Sequence, residues 1–151
     1  MSISPKFNSD LFDERTFYKK FLKDLTQCTR EIIIESPYIT SERTEQFIPI
    51  FKELLSKGVK IYIITRDPKE HSEVLELQAE LEIRRFEVMG VQVLLCTGNH
   101  HRKLAILDRS VLWEGSLNIL SQTYSREIMR RIYEEKSALE MFDFLKFNLL
   151  I

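Results

Sequence analysis

Apolar positions recur along the chain at two periods, and the switches between them mark out alternating helices and strands. Phe17, Phe21, Leu22 and Leu25 fall on one helical face, with Asp10 or Asp13 as N-cap. The run EIIIE at 31–35 is β-branched and stops at Ser36-Pro37, which predicts a buried strand. Phe47, Phe51, Leu54 and Leu55 predict a second helix closed by Lys57-Gly58. Pro49 fits that helix only near its first turn, so the pattern leaves its start open. A second buried strand follows at 59–65 (VKIYIIT), then a polar loop from Arg66 to Glu70. Ser72 can cap a third helix through Val74, Leu77, Leu81 and Arg85, ending at Gly90. The run VQVLLC at 91–96 predicts a third strand, ending in a Thr97-Gly98-Asn99 turn. Runs at 102–107 and 111–114 are joined by Asp108-Arg109-Ser110 as a hairpin, and a last amphipathic helix covers 134–149.

This order predicts an α/β fold with a mixed, mostly parallel sheet flanked by helices on both faces. No linker or repeat interrupts it, so 1–151 reads as a single domain. The apolar ending Phe147-Asn148-Leu149-Leu150-Ile151 fits either a docked terminus or the cut edge of a larger protein.

Composition narrows the classes. The chain is 44% hydrophobic and 30% charged, enough to bury a core. No apolar run approaches the roughly 18 residues of a membrane span, and the N-terminus (MSISPKFNSDLFDER) lacks a basic-then-apolar signal pattern. A cytoplasmic location is expected, with no membrane partner. Lys and Arg number 22 against 23 Asp and Glu, which excludes a dedicated DNA-coating protein and requires any nucleic-acid contact to be local, transient or assisted. Cys28 and Cys96 lie far apart and outside metal-ligand spacing, so reduced buried thiols are expected. Four glycines (Gly58, Gly90, Gly98, Gly115) form neither GxGxxG nor a Walker loop.

The chemistry concentrates in His100-His101-Arg102-Lys103 through Asp108, followed by Gly115-Ser116-Leu117-Asn118. Residues two apart in a strand share a face, so His101 and Lys103 present an imidazole beside an ammonium. That pair suits a phosphodiester: the imidazole can attack phosphorus while the ammonium neutralises phosphoryl oxygens. Gly115 lets backbone come close, and Ser116 and Asn118 are short donors for the remaining oxygens. No metal or other cofactor is expected, since Lys103 can supply the charge and no HExxH or carboxylate cluster occurs.

His101, Lys103, Asp108, Gly115, Ser116 and Asn118 together resemble the signature of the phospholipase D superfamily: His-x-Lys, four residues, Asp, six residues, Gly-Ser and a nearby Asn. Six residue types at set spacings should coincide by chance on the order of once per million chains. The resemblance implies that His101 is the nucleophile forming a phosphohistidine and that Lys103 binds the phosphate. Ser116 and Asn118 then support the pocket, and Asp108 organises hydrogen bonds rather than carrying a proton. It also implies a carboxylate on the histidine's other ring nitrogen, for which Glu127 is the best match. Family enzymes use two such motifs, and this chain holds one. The small nucleases of the family pair two subunits, so a homodimer with a shared site is expected.

On that reading the substrate is nucleic acid, DNA before RNA, and the domain could accompany helicase or restriction-type domains. Two alternatives stay open: a non-catalytic nucleic-acid-binding or dimerisation module of such a system, and a phospholipase or phosphatidyltransferase. Arg126, Arg130 and Arg131 could line a phosphate track or form an ordinary charged face. His100 is expected as an exposed loop residue, and Arg102 on the face opposite His101. Trp113 is expected in the core or at a dimer seam, and Lys19, Lys20 and Lys23 in solvent.

Overall fold

Every residue of the 31–35 run is buried, as a strand covered on both faces must be. In the computed structural model, which describes residues 8–121 and 124–151, this run is one of seven strands in a single sheet. The elements are β1 (Ser9–Asp13), α1 (Phe17–Thr26), β2 (Glu31–Glu35), α2 (Ser41–Ser56), β3 (Lys60–Arg66), α3 (Glu73–Met89), β4 (Gln92–Cys96), β5 (Leu104–Leu107), β6 (Val111–Gly115), β7 (Ile128–Ile132) and α4 (Glu135–Phe144). Residues 1–7, part of the stretch used above to judge targeting, lie outside the described residues. No helix among the described residues is long and apolar enough to cross a membrane.

The strand order is β1-β7-β6-β5-β2-β3-β4. The expected mixed sheet with helices on both faces is present. Its parallel pairings are confined to β2–β3 and β3–β4, and the remaining ones are antiparallel. The antiparallel share grew because β1 and β7, which the sequence pattern missed, extend the predicted hairpin. Strand alternation divides the core. Ile32, Ile34, Ile61, Ile63, Ala105 and Leu107 face α1, α2 and α3, whereas Ile33, Ile64, Leu104 and Ile106 face α4. Trp113 belongs to the first core: it is fully buried against Phe17 and Phe21 and donates to Asp24 at 3.0 Å.

Several local expectations change: Asp10 and Asp13 lie in β1, and Thr16 takes the N-cap of α1. Pro49 lies inside α2, eight residues after its first residue Ser41, and it is exposed. Its solvent-facing position leaves the carbonyl it cannot bond open to water, which limits the disruption. The terminal helix stops at Phe144, and Lys146 in the left-handed region (φ 56°) separates it from a short 3-10 turn at Phe147–Leu149. On α3 the buried face is Ala79, Glu82, Ile83 and Phe86, so Val74, Leu77 and Leu81 point outward. Cys28 is a buried free thiol, pushed up to about 12 by burial, and Cys96 is free and half-buried.

The β5–β6 connection is the expected hairpin. Asp108 and Arg109 both have φ of 53°, and the Ser110 N–H closes the turn on the Leu107 carbonyl at 3.0 Å. Asp108 tolerates that conformation as few residues do, and Arg109 is held in it by a two-pronged pairing with Glu31 at 2.9 and 3.0 Å.

Candidate active site

Strand β5 begins at Leu104, so His101, Arg102 and Lys103 form its extended approach rather than its first residues. The two predicted side chains still meet. Lys103 Nζ lies 2.8 Å from His101 Nδ1 and donates to the His101 carbonyl, also at 2.8 Å. His101 is exposed, and its ring meets Tyr38 edge-on with centroids 6.3 Å apart. Burial holds the Lys103 ammonium below the ordinary lysine value, against the opposing pull of the Glu127 carboxylate.

The end of β6 completes this corner. The Ser116 hydroxyl accepts from the Ile128 N–H at 3.0 Å, and the Ser116 N–H donates to the Ile128 carbonyl at 2.9 Å. A Cβ on Gly115 would overlap the Ile128 carbonyl and crowd Met129. The close backbone approach expected at Gly115 therefore exists, but the neighbour is β7. Gly115→Ala is expected to destabilise the protein by about 3 kcal/mol, read from urea unfolding; a change within the usual surface range of roughly 0.5 kcal/mol would contradict this packing. His101, Lys103, Gly115 and Ser116 share an open groove of about 760 Å³, with Leu11, Ile128, Arg130 and Phe144 on its walls.

Asn118 and Glu127 stand differently from expectation, and Asp108 organises hydrogen bonds away from the groove. Asn118 does not line the groove; its Oδ1 is buried without a hydrogen-bond partner among the described residues, and its carbonyl accepts from Tyr18 at 3.3 Å. Asp108 is not at the groove either. It sits at the far end of β5, about 13 Å along a four-residue strand, and accepts the N–H groups of Thr29, Arg30 and Glu31, each at 2.9 Å. Its place in the signature is thus architectural: it ties the start of β2 to the β5–β6 turn. Glu127 accepts from Ser125 at 2.8 Å and acts on Lys103 by charge, whereas His101 Nδ1 faces Lys103. The histidine-orienting contact expected of Glu127 is not made in this geometry. Arg131 serves the core, paired with Asp24 in contacts of 2.6 and 3.2 Å, while Arg130 lines the groove and Arg126 is exposed. Lys20 leans on the same Asp24 at 3.5 Å.

Behind the groove lies a cluster around an acid that the sequence did not single out. Glu35, at the end of β2, is 0% exposed, with Arg102 donating to it at 3.1 Å and His100 Nε2 approaching it at 3.0 Å, off the angle of a hydrogen bond. His100 is therefore tucked inward rather than exposed. A signal was present: an acid on the same strand face as Ile33, closing an otherwise apolar run, must point inward and find a cation. Burial raises the Glu35 carboxyl above its usual range despite Arg102, and burial together with Arg102, His101 and Lys103 lowers His100. With its folded pKa raised, Glu35 contributes stability present below pH 4.5 and lost as pH rises through the folded value. His100, depressed, contributes stability present above pH 6.5 and lost as pH falls. The stability of the protein relative to its Glu35→Gln variant should therefore decline as pH rises from 4.5 towards neutrality, measured by urea unfolding at stepped pH; a flat difference would contradict the burial account.

Known proteins share this fold. The family described as cardiolipin synthase, PLD-like domain matches residues 21–145. No curated protein matches the sequence. Among solved structures, NucT from Helicobacter pylori is similar at 17% identity and a TM-score of 0.71, covering 95% of this chain and 96% of that one. Nuc from Salmonella typhimurium, a phospholipase D family member, is similar at 14% identity and a TM-score of 0.71, covering 93% of each chain. Phosphatidylserine synthase from Haemophilus influenzae is similar at 17% identity and a TM-score of 0.62, covering 99% of this chain and 40% of that one. The match across most of the chain, on a sheet that brings His101 and Lys103 together beside Gly115-Ser116, places it in the phospholipase D-like family.

Proposed function

We propose that this protein is a metal-independent phosphodiesterase acting on nucleic acid, DNA first, through a phosphohistidine at His101. The observation that carries the reading is the His101–Lys103 pair, 2.8 Å apart at an open groove. His101 Nε2 attacks phosphorus, the P–O bond to the leaving group breaks, and that oxygen takes a proton. Water then attacks phosphorus, the P–N bond breaks to restore the imidazole, and the water's proton passes to the group that had protonated the leaving oxygen. Lys103 and the Ser116 hydroxyl hold the phosphoryl oxygens as charge builds on them.

The resting geometry sets a condition. With the Lys103 ammonium donating to Nδ1, the ring proton sits on Nε2, the nitrogen that must attack. Substrate phosphate draws Lys103 away and frees Nδ1. A carboxylate there would fix the proton on Nδ1 and leave Nε2 nucleophilic, and Glu127, already within electrostatic reach of Lys103, is the group for it.

One imidazole cannot both attack phosphorus and protonate the leaving group. The described residues hold no second His-x-Lys pair, and His71 is stacked on Tyr38 with centroids 5.1 Å apart. The proton donor is then the partner's His101, across the axis of a homodimer. Leu11, Ile128 and Phe144 support this: they are exposed apolar side chains on the walls of the His101 groove, where a second copy would cover them. Sedimentation at micromolar concentration should give a dimer, and Phe144→Glu should lose dimer and cleavage together. An active monomer would contradict the shared site.

The nuclease reading is tested by incubating single- and double-stranded DNA with the protein in excess EDTA, beside His101→Ala. Cleavage lost in the variant supports it. DNA retention without cleavage by either protein would favour a binding module instead, and headgroup release from phospholipid vesicles would favour a lipid substrate.

A further inference from the structure

Helix α3 carries a second apolar stripe that the core does not use. Val74, Leu77, Leu81 and Val88 are 79%, 59%, 52% and 83% exposed, while the opposite face packs inward. With Arg84 they follow the alternating three- and four-residue spacing of a coiled-coil seam, over about 20 Å of helix. An exposed glutamate immediately precedes three of the apolar residues: Glu73-Val74, Glu80-Leu81 and Glu87-Val88. At seven-residue spacing these carboxylates form a row along one flank of the seam, and none of them makes an ion pair among the described residues. On the α2 side, Ile48 and Lys52 join Leu81, Arg84, Val88 and Met89 around a groove of about 650 Å³. This surface lies on the sheet face opposite α4, away from the His101 groove that α4 lines.

We propose that the α3 stripe is a docking surface for an amphipathic helix of a partner protein, whose apolar seam is flanked by lysine or arginine. The spacing calls for a helix, because knobs at these positions are filled by a facing seam of the same period. The glutamate row sets the partner's charge. A second copy of α3 fits poorly. Packed antiparallel, its glutamate row would lie along the first one; packed parallel, it offers that row only Gln78 and Arg85, and Arg85 is already held by Glu45 and Glu82 at 2.6 and 3.1 Å. The same carboxylates repel an anionic membrane.

The full chain is titrated into a fluorescent synthetic helical peptide of about three heptads, with leucine along the seam and lysine on both flanks. A matched peptide carries glutamate on the flanks. The lysine peptide is expected to bind at least about tenfold more tightly than the glutamate peptide, and to lose at least about tenfold with Leu81→Gln or with Glu80→Lys plus Glu87→Lys. Circular dichroism confirms that the variants are folded, and DNA cleavage, where present, stays unchanged in them. Equal binding of the two peptides, no binding of either, or full binding by the folded Leu81→Gln variant would overturn the proposal. So would self-association of the chain that Leu81→Gln alone abolishes, which would assign the stripe to a second copy.

Discussion

His101→Ala should lower DNA cleavage by at least about 10³-fold without changing the fold, because it removes the atom proposed to bond to phosphorus. The side chain is exposed, and its ring meets Tyr38 edge-on and the Lys103 ammonium, so unfolding in urea should shift by no more than about 0.5 kcal/mol. Lys103→Ala should bring a comparable loss. It removes the ammonium proposed to neutralise the phosphoryl oxygens and, in the resting site, the donor to His101 Nδ1. Lys103→Arg should rescue little, since a planar guanidinium cannot reproduce a compact ammonium at 2.8 Å from both Nδ1 and the His101 carbonyl. Steady-state rates with a labelled oligonucleotide read all three. A His101→Ala protein with rates within tenfold of the parent would remove His101 from the chemistry.

The second large effect separates architecture from catalysis within the same signature. Asp108→Ala should destabilise the protein by about 3 kcal/mol, because three backbone N–H groups lose a charged acceptor and a non-glycine residue remains at φ 53°. Activity per folded molecule should stay near that of the parent, because Asp108 lies at the other end of β5 from His101. Urea unfolding paired with cleavage rates at low temperature distinguishes the two. A stable but inactive Asp108→Ala protein would place this carboxylate in the reaction.

The sequence was most readable where a segment is buried on both faces or bounded by strong turn residues. The isoleucine runs of β2 and β3 and the Asp108-Arg109-Ser110 hairpin fall in that class. Strands β1 and β7 were hidden because they sit at the outer part of the sheet, where polar side chains replace the alternating pattern. Serine and aspartate dominate β1, and β7 contains adjacent Arg130 and Arg131, one facing the groove and one paired with Asp24. In α3 the period marked a helix but not its inner side, because the seam through Val74 and Leu81 repeats as cleanly as the buried face through Ala79 and Phe86. Periodicity alone cannot rank two apolar stripes.

At the site, His101, Lys103, Gly115 and Ser116 were legible because short spacings on neighbouring strands translate directly into proximity. Asp108 belongs to the same run of sequence, yet a four-residue strand carries it away from the groove. Asn118 and Glu127 follow β6 through a connection whose path spacing does not determine. Glu35 and Tyr38 reach the site from the end of β2, about 65 residues earlier in the chain, through a strand pairing that no local motif encodes.

In the proposed mechanism His101 becomes covalently bound to phosphorus. The most direct measurement mixes the protein with DNA carrying a radiolabelled internal phosphate, in EDTA, quenches early in turnover, and maps label on the protein by mass spectrometry. An acid-labile, base-stable adduct on His101, absent from His101→Ala, is the expected result. Label on another residue, or sustained turnover by the His101→Ala protein, would contradict it.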